Sequence, residues 1–243
     1  MLWTLWSIKL FLFVLVFLCF CSRGRAELID LPVPHFHQVY GVIDWTDGRT
    51  FKTPTTGKEK SILYASCWPV SLVELLVYRQ AINNNRQAIA TAIKQAYNAF
   101  ADFDDGAHTE LIPDYIAHNY SDFYARRVIV DDQKEFPSDR KWQIITSAIS
   151  QNWPLATSIN WVKPRGAIFP HAFVIRGYSD YQTRIVYVND PAGSFTMTGV
   201  WNQAVSGENM QYGYETFFDR YYIIVVPIRQ RELLNLFLRY FNL

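Results

Sequence analysis

Three residue types that together perform nucleophilic catalysis occur along this chain in the order Cys67, His171 and Asp190. Apolar residues recur at three- and four-residue intervals after Cys67, which predicts that this cysteine lies in the first turn of a helix. Unsatisfied N–H groups and the positive end of the helix dipole favour the thiolate there, and the thiolate is the reactive form. An unpaired cysteine is also often just a small buried residue, so position alone does not establish catalysis.

A β-hairpin is predicted to bring His171 and Asp190 together. His171 begins the strand-forming run His-Ala-Phe-Val-Ile-Arg-Gly-Tyr, and Val188-Asn189-Asp190-Pro191 ends the next predicted strand. Two antiparallel strands joined by a tight turn place the start of one beside the end of the other. A carboxylate beside the imidazole fixes its tautomer and stabilises the imidazolium that pairs with a thiolate.

The elements that must position these residues are predicted as helices first and strands second, the order typical of an α+β domain. Apolar periodicity predicts helices at 67–77, 85–100, 109–119 and 138–152. Ser66 is predicted to cap the first of them. β-forming runs predict a strand at 126–130 and an antiparallel sheet from strands at 155–161, 171–178, 184–189 and 221–226. Residues 31–40 are predicted to be an extended strand, and residues 41–61 a surface loop.

The sequence around the three residues resembles a known family. Ser66-Cys67-Trp68-Pro69-Val70-Ser71 is similar to the Ser-Cys-Trp-Ala-Phe-Ser signature of papain-type cysteine peptidases, in which the nucleophile opens the central helix. The His-Ala strand, the Gly-Tyr after it and the Asn-Asp-Pro motif more closely resemble bacterial double-glycine leader peptidases and their stand-alone relatives. The resemblance spans about residues 32 to 200. It implies a papain-like fold, with an N-terminal helical half that carries the nucleophile on its central helix and a C-terminal antiparallel sheet.

The resemblance also implies a role for each residue. Cys67 is the nucleophile, His171 the base and Asp190 the acid that orients the base. In papain the third member is an Asn, so Asn189 is a competing candidate for that role. The family further has a Gln upstream of the nucleophile whose amide binds the oxyanion, and Gln38 matches its sequence context.

Two features depart from the family pattern. Gln38 lies 29 residues before Cys67, farther than in family members, which implies that residues 41–61 are an insertion that rejoins the chain near the site. The usual glycine just before the nucleophile is absent, because Tyr64-Ala65-Ser66 stands there.

The N-terminal residues predict export. The run from Leu10 to Cys21 is almost wholly apolar but too short to span a membrane, and a small residue, Ala26, ends the segment after it. Residues 1–26 are therefore predicted to be a signal peptide, with an uncleaved N-terminal anchor as the alternative. Removal of this segment leaves Cys67 as the single cysteine of the mature chain. An unpaired thiol in an exported protein calls for an explanation by burial, pairing or chemistry.

Residues 27–227 are predicted to form the peptidase domain, and residues 228–243 an amphipathic C-terminal tail. The tail is predicted to be a helix docked on the core, or else a helix that binds a membrane surface or a partner. Without residues 1–26, which include three basic side chains, the formal charge changes from +1 to −2. We find no basic face or stripe, so nucleic-acid binding is not expected.

The predicted function is that of an exported thiol peptidase, secreted or periplasmic, either free or held at the membrane through its N-terminal segment or tail. Peptides or proteins are the expected substrates, and the chemistry of a thioester acyl-enzyme needs no cofactor or metal. Two alternatives stay open: an amidase or transpeptidase that acts on cell-wall or other non-protein amides, and a non-catalytic binding protein. His35 and His37 have a spacing that suits a metal, but no Cys or carboxylate cluster accompanies them, so a solvated strand face is expected.

Overall fold

The computed structural model describes residues 28–36, 50–52, 59–61, 66–102, 106–130, 138–162, 168–181, 183–195, 201–202, 206–214 and 218–243. Within these ranges the chain forms five α-helices: α1 Cys67–Tyr78, α2 Arg86–Phe100, α3 Ile112–Asn119, α4 Ser138–Ser150 and α5 Arg231–Tyr240. Short 3-10 helices precede α3 and α5, at Thr109–Leu111 and Ile228–Gln230. The four predicted helices are thus present, and the tail is helical as well.

Most of the strand residues in the described ranges lie in the second half of the chain. Those in the described ranges are β1 Leu28–Asp30, β2 Thr50–Lys52, β3 Glu59–Ser61, β4 Ala101–Asp102, β5 Gly106–Ala107, β6 Phe123–Ile129, β7 Leu155–Val162, β8 Ile168–Ser179, β9 Ile185–Asn189, β10 Ser194–Phe195, β11 Trp201–Asn202, β12 Met210–Gly213 and β13 Phe218–Pro227. Seven of these described strands form one antiparallel sheet, in the order β12, β9, β8, β7, β13 and β6, with β1 paired to the end of β8. The predicted α+β class is confirmed.

Helix α1 runs through the core. Each of its residues from Trp68 to Val77 is buried, so that the helix has no solvent-facing side. It packs on β7 and β8, and the Trp68 ring stacks on Tyr221 of β13 with ring centroids 5.7 Å apart. The first residue of α1 is therefore held firmly relative to the sheet.

Several local predictions were wrong. Ser66 has helical φ and ψ of −88° and −7° and makes no capping hydrogen bond with its side chain, because a capping residue needs non-helical dihedrals. The predicted strand at 31–40 is absent over residues 31–36, since Pro32 and Pro34 lack the N–H that a ladder requires. The predicted loop at 41–61 contains the β2–β3 hairpin. The rest of that loop, apart from Thr50–Lys52 and Glu59–Ser61, lies outside the described residues.

The C-terminal helix α5 is docked on the domain. Leu234, Phe237 and Leu238 are buried, and the Phe237 ring makes an edge contact with Trp153 at 5.5 Å between centroids. Leu233, Leu236 and Tyr240 of the same helix are exposed. Across the described ranges, we find no helix with the length and apolar character needed to cross a membrane. The predicted signal segment, residues 1–26, lies outside the described residues.

Candidate active site

Cys67 is the first residue of α1 and is half-buried. The helix begins with the bond from the Val70 N–H to the Ser66 carbonyl, at 3.0 Å. The first turn carries no acidic side chain, so no negative charge there opposes a thiolate. The start of the helix thus offers its unpaired N–H groups and its positive dipole end to the sulfur.

His171 lies in β8 next to Ile159 of β7 and is only 4% exposed. Its Nε2 is 2.8 Å from Oδ1 of Asp190, a hydrogen bond in which the ring donates to the carboxylate. The ring also interacts with the side chain of Cys67, through hydrogen bonding and charge that both raise the pKa of the ring. Because Nε2 faces the carboxylate, Nδ1 is the ring nitrogen that is left for the sulfur. Three of the four predicted site residues are therefore in one hydrogen-bonded series.

A β-bulge decides which residue of β9 meets His171. The β8–β9 ladder pairs Ile175 with Val188 but Gly177 with Tyr187, so that Arg176 is an extra residue. Side chains alternate between faces, and a shift of one residue moves the whole strand to the other face. With the bulge, the register carries Asp190 to the face of β8 that bears His171. Without it, Asn189 would be on that face.

Asp190 is fully buried, and both of its carboxylate oxygens accept hydrogen bonds. Besides the ring of His171, Oδ1 accepts the N–H of Ala192 at 2.9 Å, and Oδ2 accepts the hydroxyl of Tyr212 at 2.9 Å. Its backbone N–H donates to the carbonyl of Gly207 at 2.8 Å. A Cβ at Gly207 would lie only 1.9 Å from the Asp190 carbonyl oxygen, so only glycine allows this approach. The carboxylate is thereby held in one position.

The electrostatics of His171 favour the imidazolium. Burial lowers the pKa of the ring, but the charge and hydrogen bond of Asp190, followed by the contact with Cys67, outweigh it and raise the pKa from 6.5 to about 9. At neutral pH the ring is therefore protonated. A protonated imidazole beside a thiol at a helix start is the arrangement that stabilises a thiolate.

Asn189, the competing candidate, is bonded elsewhere. Its Nδ2 donates to the carbonyls of Val33 and Pro34, at 3.0 and 3.1 Å, and its Oδ1 accepts the N–H of Asn209 at 3.3 Å. The Asn189 side chain therefore ties the N-terminal segment to the sheet, while Asp190 takes the ring.

Gln38 and His37 lie outside the described residues. His35 is described, and the expectation that it sits on a solvated face was wrong: it is half-buried, and its Nε2 is 3.0 Å from the backbone oxygen of Asp190. Burial is the main cause that lowers the pKa of His35, so the neutral ring is favoured. Among the residues described, no three or more His, Cys, Asp or Glu side chains are grouped so as to hold a metal ion.

The family profile that matches this chain covers residues 32–222 of its 243, and all of the candidate residues lie within that span. The chain belongs to the Peptidase_C39 like family. The match supports a papain-like cysteine peptidase of the C39 type, as the Ser-Cys-Trp and Asn-Asp-Pro motifs predicted. A search of curated proteins gave no match.

In this C39-like chain, sequence reasoning missed three residues around the site, Glu74, Tyr212 and Gly207, and it placed His35 on a solvated face. Glu74 had a visible signal, since it is the one charged residue among the twelve of Cys67–Tyr78. Tyr212 and Gly207 had none, because the short strand β12 was not predicted and a close backbone approach leaves no mark in the local sequence.

Proposed function

We propose that this chain is a cysteine peptidase of papain-like fold that hydrolyses peptide bonds, with Cys67 as nucleophile, His171 as base and Asp190 as the acid that orients the base. The observation that carries the proposal is the hydrogen-bonded series from Cys67 through His171 to the buried Asp190. Membership of a cysteine peptidase family supports it as well.

The first half of the proposed reaction forms an acyl-enzyme. The Cys67 thiolate faces the protonated His171 and attacks the carbonyl carbon of the scissile bond. The C–N bond then breaks, and the amine leaves with the proton from Nδ1 of His171. The acyl group remains on the sulfur as a thioester, and the imidazole is neutral.

The second half releases the acid product. Water gives a proton to His171 while its oxygen attacks the thioester, the C–S bond breaks, and the thiolate and imidazolium are restored. In both halves negative charge develops on the carbonyl oxygen of the substrate. We assign its stabilisation to the backbone N–H of Cys67 and the amide of Gln38. Phe36, two residues before Gln38 in the chain, donates its backbone N–H to Glu74 of α1.

In this proposal, the charge of Asp190 makes the pair of Cys67 and His171 reactive. The rise in the pKa of His171 from 6.5 to about 9 corresponds to about 3 kcal/mol in favour of the imidazolium. This exceeds the typical net value of a hydrogen bond between neutral groups, about 1 kcal/mol. The charge of the carboxylate, and not hydrogen bonding alone, is therefore the proposed source of thiolate activation.

The proposal includes export, through residues 1–26 as a signal peptide or an N-terminal anchor. The composition of that segment and the presence of one cysteine after it support this. Mass spectrometry of the chain recovered from its natural host tests it. A mature chain that begins at Glu27 is expected for a cleaved signal, whereas a chain that keeps Met1 and fractionates with the cytosol would refute export.

A cleavage-site profile on a proteome-derived peptide library tests the peptidase activity. Wild type is compared with Cys67→Ala and with a matched surface variant, Asp139→Asn, which removes an exposed carboxylate that pairs with Arg184. We expect cuts in wild type and in Asp139→Asn, and none in Cys67→Ala.

Iodoacetamide labelling separates the remaining outcomes. Fast labelling of Cys67 at neutral pH with no cut in any peptide would favour the amidase or transpeptidase alternative. Labelling that rises only near the ordinary thiol pKa of about 8.5 would mean an inert cysteine and a binding protein.

A further inference from the structure

Residues 31–36, which we call the strap, link the sheet to α1. On the sheet side, the side-chain amide of Asn189 donates to two strap carbonyls, those of Val33 and Pro34. Leu31, Val33 and Phe36 of the strap are buried in the core. The strap is therefore a fixed part of the domain, although none of its residues is in a strand.

Two adjacent strap residues make bonds to opposite parts of the candidate active site. The Nε2 of His35 is 3.0 Å from the backbone oxygen of Asp190, on the sheet side. The backbone N–H of Phe36 donates to Oε1 of Glu74, at 2.7 Å, on the helix side. The two halves of the site are thus joined through one peptide unit of the strap.

Glu74 lies on the same side of α1 as the nucleophile. It follows Cys67 by seven residues, which is nearly two full turns and about 10 Å along the axis. Its side chain is completely buried, in a helix whose other buried residues are almost all apolar. A bond at this position restrains the helix that carries the sulfur.

The buried surroundings of Glu74 do not make its carboxyl group a source of stability for the fold. Its second oxygen, Oε2, is buried without a hydrogen-bond partner, which is unfavourable. Burial raises the pKa of the carboxyl well above its ordinary range; the bond from Phe36 and the charge of Arg176 oppose this, while Asp190 and Glu208 add to it. Burial therefore favours the neutral form of Glu74, and its evident contribution is the one bond to the strap.

We propose that Glu74 is a positioning residue: by accepting the Phe36 N–H it fastens the strap to α1 and, through His35 of the strap, sets the position of Cys67 relative to the loop that carries Asp190. This inference rests on the proposed function. It adds a requirement that the peptidase mechanism does not contain, namely that the two halves of the site are held in register by a buried acid remote from the reacting atoms.

The rate constant for alkylation of Cys67 by iodoacetamide at pH 6.5 tests the proposal, because it reports the thiolate–imidazolium pair without any substrate. Glu74→Met removes the acceptor and keeps the size of the side chain, whereas Glu74→Gln keeps an acceptor in a neutral group. We expect Glu74→Met to be about tenfold slower or more than wild type, and Glu74→Gln to stay within about threefold. Leu76→Val, a buried change on the opposite side of α1, is the control and should alkylate like wild type.

His35→Phe removes the bond between the strap and the Asp190 backbone oxygen, and it tests the proposal if Glu74→Met does not fold. It should be slowed like Glu74→Met, and the double variant should be no slower than either single one, because both act through the same strap. A Glu74→Met protein that alkylates as fast as wild type, or a Glu74→Gln protein as slow as Glu74→Met, would overturn the inference alone. A wild-type thiol that is inert at pH 6.5 would refute the proposed function and this inference together.

Discussion

Replacement of Asp190 by Asn removes a buried charge while the shape of the side chain is kept. The three groups that bond to Asp190 through its side chain are the ring of His171, the N–H of Ala192 and the hydroxyl of Tyr212. An Asn oxygen can accept from the first two, and its NH₂ can donate to the hydroxyl, which accepts as readily as it donates. Asp190→Asn is therefore expected to fold with its hydrogen bonds in place.

The magnitude follows from the pKa of His171. Burial lowers that pKa and Asp190 is the main group that raises it, to about 9. Without the charge, we expect the pKa of His171 to lie at or below its ordinary value of 6.5. A difference of this size is worth about 3 kcal/mol, or more than a hundredfold in the ratio of imidazolium to neutral imidazole.

Two assays measure the effect. The pH dependence of iodoacetamide alkylation should lose its fast phase below pH 8 in Asp190→Asn, and NMR titration of the His171 ring should give the lowered pKa directly. Asp139→Asn makes the same chemical change at an exposed site and should alter neither. An Asp190→Asn protein whose ring still titrates near pH 9 would refute the role that we give to the carboxylate.

The same pKa predicts a dependence of stability on pH. Because the folded-state pKa of His171 is above the unfolded value of 6.5, the folded protein holds this proton more tightly. The resulting stabilisation is complete below about pH 6.5 and is lost as the pH rises through about 9. Between pH 6 and pH 10, wild type should therefore lose about 3 kcal/mol more of its free energy of unfolding than Asp190→Asn does, because the other groups titrate alike in both proteins. Urea unfolding at the two pH values measures this difference.

Three further changes test the surroundings of the site and the tail. Tyr212→Phe removes a hydroxyl that donates to a buried carboxylate, so we expect the free energy of unfolding to fall by about 1.5–3 kcal/mol in urea titration. Gly207→Ala places a methyl group against the Asp190 carbonyl oxygen and should cost about 1–3 kcal/mol, with a change in the pKa of His171 seen by NMR. A chain that ends at Pro227 loses the three buried side chains of α5, worth about 5–9 kcal/mol, and should no longer unfold cooperatively by circular dichroism.

Each of these three has a control and a contradicting result. Tyr187→Phe, on a partly exposed side chain of β9, should stay within about 0.5 kcal/mol of wild type, and an equal loss in both tyrosine variants would contradict a specific bond to Asp190. A Gly207→Ala protein with unchanged stability would mean that the loop moves away freely. A chain that ends at Phe241 keeps α5 and should unfold like wild type; a cooperative, soluble chain ending at Pro227 would instead favour a membrane or partner surface for the tail.

Much of the fold could be predicted because its signals are local. The helix that begins at Cys67 has apolar spacing that only a buried helix satisfies, and the run from His171 has the β-branched and aromatic residues of a strand. Two consecutive strand-forming runs joined by a short turn also predicted a hairpin that brings His171 beside the end of the next strand. The predictions were wrong where contacts with distant residues decide the local structure. Residues 31–36 are an example, because their hydrogen bonds go to α1 and to the β8–β9 hairpin.

The sequence alone determined which residue types stand at the start of α1, within β8 and just after β9, and therefore which chemistry was available. It left open whether Asn189 or Asp190 faces the imidazole, because adjacent residues of a strand point to opposite faces and the choice depends on register. The bulge at Arg176, which no local pattern announces, sets that register. Only the tertiary structure likewise joined Glu74 to Phe36, since a contact between residues 38 positions apart is made by packing and not by the nearby sequence.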